Sequence, residues 1–190
     1  LLSENGFGNN LTLSAEQVLE NVKAIQKRNE ITNSVEELQG MNFSVEMETG
    51  TGKTYVYLRT VYELNKLYGF KKFVIVVPSV AIREGVLKNL QITHEHFQSL
   101  YDKTSINFDI YDSKKVSNLR GFSSGNAIQV LVINIDSFAK DENIINKPND
   151  KLTGKKPIEF IQSTKPIVIV DEPQNMETGI RKKAIQNLEP

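Results

Sequence analysis

Cysteine is absent from the 190 residues, so the chain forms no disulfide bond and offers no thiolate ligand to a metal. A net charge is absent too, because 23 Lys and Arg balance 23 Asp and Glu. Any contact with nucleic acid must therefore use a local basic patch. No apolar run approaches the roughly 20 residues of a membrane span, and no basic-then-apolar segment begins the chain. We expect a cytoplasmic protein with no membrane partner and no signal peptide.

The remaining composition is that of a globular protein, with 39% hydrophobic and 24% charged residues. The length suits one domain with a small appendage. We predict an N-terminal helical appendage over residues 1–40 and a larger domain over residues 41–190. The chain begins at Leu1 without Met, so we expect it to be a piece of a longer protein.

Apolar patterning predicts a mainly parallel sheet flanked by helices, that is, an α/β fold. Continuous apolar runs, typical of strands covered on both faces, predict strands at 73–77, 128–133 and 167–170, and a shorter run predicts the first buried strand at 43–47. Residues 106–111 alternate and predict a strand with one wetter face.

Helical spacing predicts the elements between these strands. Ser14 begins a capping box before one helix. A second helix is predicted over 53–68, with Val61, Leu64 and Leu67 on one face and Gly69 as its stop. Further helices are predicted from Ser79, as cap, to about 101 and over 157–162. Residues 1–12 read as a loose lead-in and residues 139–156 as a surface insertion.

Residues 49–54 form a glycine loop between the predicted strand at 43–47 and the helix at 53–68. Such a loop lets backbone N–H groups approach an anion, and the helix adds its unpaired first-turn N–H groups. The chain departs from the standard phosphate-loop pattern at Met47, where glycine is usual. The predicted phosphate-binding residues are Thr49, Gly50, Thr51, Gly52, Lys53 and Thr54. Lys53 is expected at the β- and γ-phosphates of ATP, and the Thr54 hydroxyl at Mg²⁺.

An acidic pair follows the last predicted strand. Asp171 comes directly after the apolar run 167–170, which is the Walker B arrangement, and Glu172 comes next. We expect Asp171 to hold Mg²⁺ and Glu172 to orient or deprotonate the attacking water. On an extended backbone the two carboxylates point in different directions, which suits these separate tasks.

The stretches 47–54 and 171–176 together resemble superfamily 2 helicases. With the runs 55–60 and 76–85, they resemble more narrowly the Res subunit of type III restriction-modification enzymes. This resemblance implies a RecA-like ATPase domain that needs ATP and Mg²⁺, acts on double-stranded DNA and works with a Mod methyltransferase subunit.

The resemblance also implies roles for single residues. Gln174 is expected to couple the ATP site to a second motor domain, and the predicted catalytic residues are Lys53, Asp171 and Glu172. The DNA-contact candidates are Ser79, Arg83, Asp136 and Ser137. A second motor domain and a nuclease signature are absent from the 190 residues, so we expect this segment alone to hydrolyse ATP slowly or not at all.

Other interpretations stay open at this point. The chain is also compatible with another superfamily 2 motor, from a type I restriction or repair enzyme, and with a nucleotide-binding switch that does not hydrolyse ATP. Ser79 serves equally well as a helix cap without DNA. Tyr55 and Tyr57 read as packing residues, and the basic run 181–183 reads as a solvated face.

Overall fold

The computed structural model describes residues 2–3, 6–32, 34–38, 40–176 and 178–190. Its strands are β1 (Leu2–Ser3), β2 (Gly6–Phe7), β3 (Lys72–Val77), β4 (Ile106–Ile110), β5 (Ile128–Asn134) and β6 (Ile167–Val170). Its α-helices are α1 (Ala15–Arg28), α2 (Lys53–Tyr68), α3 (Val80–Leu100), α4 (Asn118–Ser124), α5 (Pro157–Gln162) and α6 (Gly179–Gln186).

The described chain separates into two compact units. One contains residues 1–10 and Gly52–Pro190, and the other contains Leu11–Thr51. The glycine loop is divided between them, since residues 49–51 belong to the smaller unit. The proposed division into an appendage over 1–40 and a domain over 41–190 stays a prediction.

A parallel four-stranded sheet in the order β4-β5-β3-β6 forms the centre of the larger unit. All six residues of β3 are buried, because this strand has a parallel neighbour on each side and helices over both faces. The predicted α/β class with a mainly parallel sheet is confirmed, and so are the strands at β3, β5 and β6.

The core lies on both faces of this sheet. Phe73, Ile75 and Val77 pack with apolar residues of α2 and α3, and the alternate residues Val74 and Val76 pack with residues of α4, α5 and α6. Burial of each such side chain stabilises the fold by about 1.5–3 kcal/mol. The continuous apolar run of β3 is therefore explained by two different layers of neighbours.

The helix after the glycine loop has the predicted bounds. It ends at Gly69, whose φ of 72° is the left-handed conformation that favours glycine. Of the three apolar residues predicted on one face, Val61 is buried and Leu64 is half-buried, whereas Leu67, in the last turn, is 64% exposed.

The predicted strand at 43–47 is not formed. These residues have no regular secondary structure, and Phe43 and Val45 are 57% and 81% exposed. The apolar residues alternate with Ser44 and Glu46, so only every second side chain favours burial. A short strand is stable only with a ladder partner, and the segment has none among the described residues.

The N-terminal lead-in is held more firmly than predicted. Asn9 is buried, and its Oδ1 accepts hydrogen bonds from the backbone N–H groups of Lys71 (2.9 Å) and Lys72 (3.1 Å). Its Nδ2 donates to the Lys72 carbonyl at 2.8 Å, and its backbone N–H donates to Thr164 O at 2.8 Å. The prediction of a loose segment over 1–12 is therefore wrong at Asn9, which binds the beginning of β3.

The insertion at 139–156 is also anchored. Ile145 and Leu152 belong to two short 3-10 helices and are fully buried in the core under the sheet. The prediction of a surface insertion therefore holds for the polar residues of this segment but not for these two. In the smaller unit, α1 begins with the predicted capping box at Ser14, whose side chain accepts from Gln17 N.

Candidate functional site

The carboxyl ends of the parallel strands bring the sequence-predicted residues of the larger unit to one edge of the sheet. Val77 of β3 is paired with Asn134 of β5, and Val76 is paired with Val170 of β6. Ser79, residues 135–137 and Asp171 follow these strands directly, so they lie along the same edge. Ligands of open α/β sheets bind at this edge.

The α2 helix begins at this edge with an open N-terminus. Its N-cap residue, Gly52, has a φ of 87° and makes no side-chain capping bond. A Cβ on Gly52 would meet no atom within 4 Å, so the backbone here is open to a close approach. The first-turn N–H groups of a helix have no partner within it, and they favour an anion.

Lys53 and Glu172 form an ion pair at this helix N-terminus. Lys53 Nζ donates to Glu172 Oε1 at 3.1 Å, and the two side chains are 33% and 27% exposed. The Gln174 side-chain amide donates to the other oxygen, Oε2. The hydrogen bond from Lys53, then that from Gln174, lower the pKa of Glu172. The carboxylate is thus held ionised beside a cation.

Glu172 has a left-handed backbone conformation, with φ of 55°. The chain therefore turns sharply after Asp171, and the expectation of an extended backbone at the acidic pair is wrong. This turn directs the two carboxylates to different partners, Lys53 for Glu172 and Tyr57 for Asp171. A non-glycine residue in this region costs about 1–2 kcal/mol.

Asp171 continues the β6 ladder and faces α2. Its N–H donates to the Val76 carbonyl at 3.0 Å, and Tyr57 Oη donates to its Oδ2 at 3.4 Å. Burial, then the charge of Glu172, raise the pKa of Asp171. The Tyr57 hydroxyl also interacts with the Thr54 side chain, and burial raises the pKa of Tyr57, which keeps it a donor.

The first half of the glycine loop belongs to the smaller unit and forms a turn there. Thr51 N–H donates to Glu48 O at 3.4 Å, and Thr51 Oγ1 donates to the same carbonyl at 2.6 Å. Gly50 has a φ of 80°, which an L side chain rarely adopts, and a Cβ on it would meet no atom within 4 Å. Thr49, Gly50 and Thr51 are exposed.

The DNA-contact candidates have partners within the protein. Ser79 caps α3 by accepting from Ile82 N at 3.3 Å, as its alternative interpretation requires. The Arg83 guanidinium donates to its neighbour Glu84 at 2.9 Å. Asp136 pairs with Arg181 at 2.9 Å, and Ser137 ends the same 3-10 helix as Asp136.

Two residues at this edge were not predicted from the sequence as site residues. Tyr57 lies one helical turn after Lys53, so the i,i+4 spacing could have placed it beside the glycine loop. Arg181 was interpreted as part of a solvated basic face, which is wrong, because it pairs with Asp136, 45 residues away. No local pattern indicates a contact over that separation.

Among the described residues, no cluster of three or more His, Cys, Asp or Glu side chains has the geometry to hold a metal ion. Within the same part of the chain, no helix combines the length and apolarity of a membrane span.

The parallel sheet, the helix that follows a glycine loop, and the acidic pair at the end of β6 define the chain as a RecA-like domain of the superfamily 2 helicase type. The family model of the type III restriction enzyme Res subunit matches residues 12–189. The chain belongs to this family, which confirms the resemblance stated from its motifs.

Curated relatives carry the same name. The chain is 31% identical over 200 residues to the Type III restriction-modification enzyme EcoP15I Res subunit of Escherichia coli, covering 94% of this chain and 20% of that protein. It is 34% identical over 169 residues to the StyLTI Res subunit of Salmonella typhimurium, covering 78% and 17%. The EcoPI Res subunit of Escherichia phage P1 is 30% identical over 94% of the chain. The chain thus spans about a fifth of the length of these relatives.

Proposed function

We propose that this chain is the first motor domain of a type III restriction enzyme Res subunit, which binds ATP with Mg²⁺ and couples its hydrolysis to translocation or switching on double-stranded DNA before cleavage. The observation that carries the proposal is the meeting of Lys53, Asp171 and Glu172 at the open N-terminus of α2. A cation, two carboxylates and free helix N–H groups at one sheet edge are the groups that a metal-nucleotide site needs.

The donor set fits a magnesium nucleotide. The backbone N–H groups of Gly52, Lys53 and Thr54 and the Lys53 ammonium would bind the phosphates, because the N-terminus of α2 offers an open glycine and a cation. The sequence predicts the same role for Thr49, Gly50 and Thr51. Thr54 and Asp171 would hold Mg²⁺, and Tyr57 already contacts both side chains. Bound Mg²⁺ supplies charge neutralisation at the phosphates.

Glu172 and Gln174 complete the proposed site. Glu172 is ionised and would orient or deprotonate the attacking water. To do so it must leave Lys53, because a single ammonium cannot hold its present geometry with Glu172 and also move to the phosphates. Gln174 donates to Glu172 and would transmit the release of Glu172 from Lys53 to a second motor domain.

DNA and partner contacts are proposed from the family. Ser79, Arg83, Asp136 and Ser137 would lie near the DNA backbone, since they share the carboxyl edge of β3 and β5. The Mod methyltransferase subunit would be the partner that directs the intact polypeptide to its DNA site. A second motor domain would be required for fast turnover, so the 190 residues alone should hydrolyse ATP slowly or not at all.

ATP turnover by the intact polypeptide that carries this chain, with Mod and with or without double-stranded DNA, tests the proposal. Lys53→Ala and Glu172→Gln should each lower DNA-stimulated turnover at least about 100-fold, as expected for loss of an acid–base or charge-stabilising group. The exposed residues Lys88 and Glu142 give matched controls, K88A and E142Q, which should keep wild-type turnover. Full turnover in the Glu172→Gln variant would contradict the proposed role of Glu172. ATP binding without any turnover in the wild-type protein would instead support the alternative of a nucleotide-binding switch that does not hydrolyse ATP.

A further inference from the structure

Arg181 of α6 holds two loops with one guanidinium group. Its Nη2 donates to Asp136 Oδ1 at 2.9 Å, and its Nη1 donates to the Asn175 carbonyl at 2.6 Å. The Arg181 side chain is 30% exposed, whereas Asp136 is 65% exposed. The planar fork of arginine suits such a double contact, which a lysine ammonium cannot reproduce in the same geometry.

The two loops belong to different strands. Asp136 lies in the 3-10 helix Ile135–Ser137, which follows β5, and Asn175 lies in the 3-10 helix Pro173–Met176, which follows Asp171 and Glu172. The strands β5 and β6 are not neighbours, because β3 lies between them. Arg181 therefore joins the two exits across the end of β3.

Both attachment points are well supported. Asn134 Oδ1 accepts from Asp136 N at 2.8 Å, and Asn143 Nδ2 donates to Asp136 O at 3.1 Å. Ile135 and Met176, one on each loop, are buried in the same core cluster. Arg181 thus connects two segments that are each anchored to the core.

Stability alone is a weak reason for this arrangement, because a largely exposed ion pair contributes little to the free energy of unfolding. The residues on the two loops that Arg181 connects indicate a role in function as well. One loop carries Gln174, which donates to Glu172, and the other carries Asp136 and Ser137 at the proposed DNA edge. An unpaired Asp136 would repel DNA phosphates there, and Arg181 neutralises it.

We propose that Arg181 is a positioning residue that couples the DNA-facing loop after β5 to the acidic loop after β6. The proposal rests on the proposed function, since it needs DNA to act on one loop and ATP on the other. Contact of DNA with residues 135–137 shifts Asp136, and Arg181 passes the shift to Asn175 and so to Gln174 and Glu172. Coupling between two sites is measurable as a change in one activity caused by the other ligand.

The test measures ATP turnover by the intact polypeptide with Mod, without DNA and with saturating double-stranded DNA. Arg181→Ala should lower the stimulation by DNA, the ratio of the two rates, by about fivefold or more. Lys182 is the exposed neighbour with the same charge, so K182A is the matched control and should keep the wild-type ratio. Arg181→Lys should recover the ratio only in part, because it keeps the charge and loses the fork.

A double-mutant cycle with Asp136 distinguishes loss of coupling from a general loss of stability. Arg181→Ala and Asp136→Asn should each lower the stimulation, and the double variant should lose no more than Arg181→Ala alone, since both changes break the same connection. The cycle also decides the matter if Arg181→Ala lowers the melting temperature, because the effect of a general loss of stability would add to that of Asp136→Asn. Losses that multiply in the double variant contradict the coupling role.

Two other outcomes overturn the inference. One is an Arg181→Ala variant with the same stimulation as K182A. The other is an equal loss of turnover with and without DNA, which marks a structural role only. If the wild-type protein itself shows no DNA-stimulated turnover, the proposed function fails first, and the coupling role fails with it.

Discussion

Lys53 Nζ lies 3.1 Å from Glu172 Oε1, although the two residues are 119 positions apart in the chain. One is the proposed phosphate ligand and the other is the proposed partner of the attacking water. In the present geometry the two side chains bind each other. In the proposed mechanism this ion pair must break before Lys53 can bind the phosphates and Glu172 can contact the water.

Glu172→Gln should separate nucleotide binding from hydrolysis. The variant keeps the shape of the side chain but removes the charge that competes for Lys53. We expect the affinity for a fluorescent ATP analogue in Mg²⁺ to stay equal or to rise by up to about fivefold, the range of a partly exposed ion pair. Equilibrium titration of the intact polypeptide, with the exposed E142Q as control, checks this. Clearly weaker binding by Glu172→Gln would show that the carboxylate assists nucleotide binding and does not compete with it for Lys53.

Tyr57→Phe should weaken the response to Mg²⁺ more than the fold. The hydroxyl contacts Asp171 Oδ2 and the Thr54 side chain, whereas the ring packs against the sheet. We expect the Mg²⁺ concentration for half-maximal ATP turnover to rise about tenfold, as for lost support of a metal ligand. Tyr68, on the same helix and 63% exposed, gives the control Y68F. Two results would reject this positioning role. One is that Y57F and Y68F give the same curve of ATP turnover against Mg²⁺ concentration. The other is that Y57F loses as much turnover at saturating Mg²⁺ as it does at low Mg²⁺.

Lys72→Met should destabilise the fold, increasingly so at high pH. Lys72 is buried, and its ammonium donates to the carbonyls of Phe122, Ser123 and Gly125 at 2.6, 3.0 and 2.7 Å. Leaving these acceptors without their donor should cost about 2 kcal/mol at pH 7 in urea unfolding.

The pH dependence follows from the pKa of Lys72. Burial, with a smaller contribution from Lys71, lowers this pKa to about 8. Between there and the unfolded value of about 10.4, the unfolded chain binds more protons, so the wild-type protein gains stability relative to Lys72→Met as the pH rises. The exposed Lys88 gives the control K88M. A constant difference between pH 7 and pH 10, or none at all, would contradict the assignment.

Asn9→Ala should show that the N-terminal segment contributes to the main fold. The Asn9 side chain satisfies two N–H groups and one carbonyl at the beginning of β3. Their loss should lower the free energy of unfolding by about 2 kcal/mol. The next residue, Asn10, is exposed, and N10A should unfold like the wild-type protein. Equal stability of N9A and N10A would contradict this and would support the loose lead-in over residues 1–12 that the sequence predicts.

Much of the fold follows from local patterns. The strands β3, β5 and β6 coincide with largely apolar runs, although β6 is half-buried and not fully buried, and α2 is bounded by a glycine loop and by Gly69. Such signals are local because apolar spacing and glycine conformations act within a few residues. The family could also be read from the short stretches around Lys53 and Asp171.

The parts that the sequence did not predict depend on distant partners. Residues 43–47 have an apolar pattern but no ladder partner among the described residues. Asn9 and Arg181 make contacts 63 and 45 positions away. The left-handed turn at Glu172 directs its carboxylate to Lys53, 119 positions away, and no spacing rule predicts that contact.

Direct binding of ATP is the measurement that tests the central claim most closely. Calorimetric titration of the intact polypeptide with ATP and Mg²⁺ should give saturable binding for the wild-type protein and for K88A. Lys53→Ala should weaken it at least about 30-fold, the typical cost of losing a hydrogen bond between charged groups. Asp171→Asn should remove the dependence of binding on Mg²⁺. Wild-type affinity in Lys53→Ala, with an unchanged response to Mg²⁺ in Asp171→Asn, would contradict a nucleotide site at the N-terminus of α2.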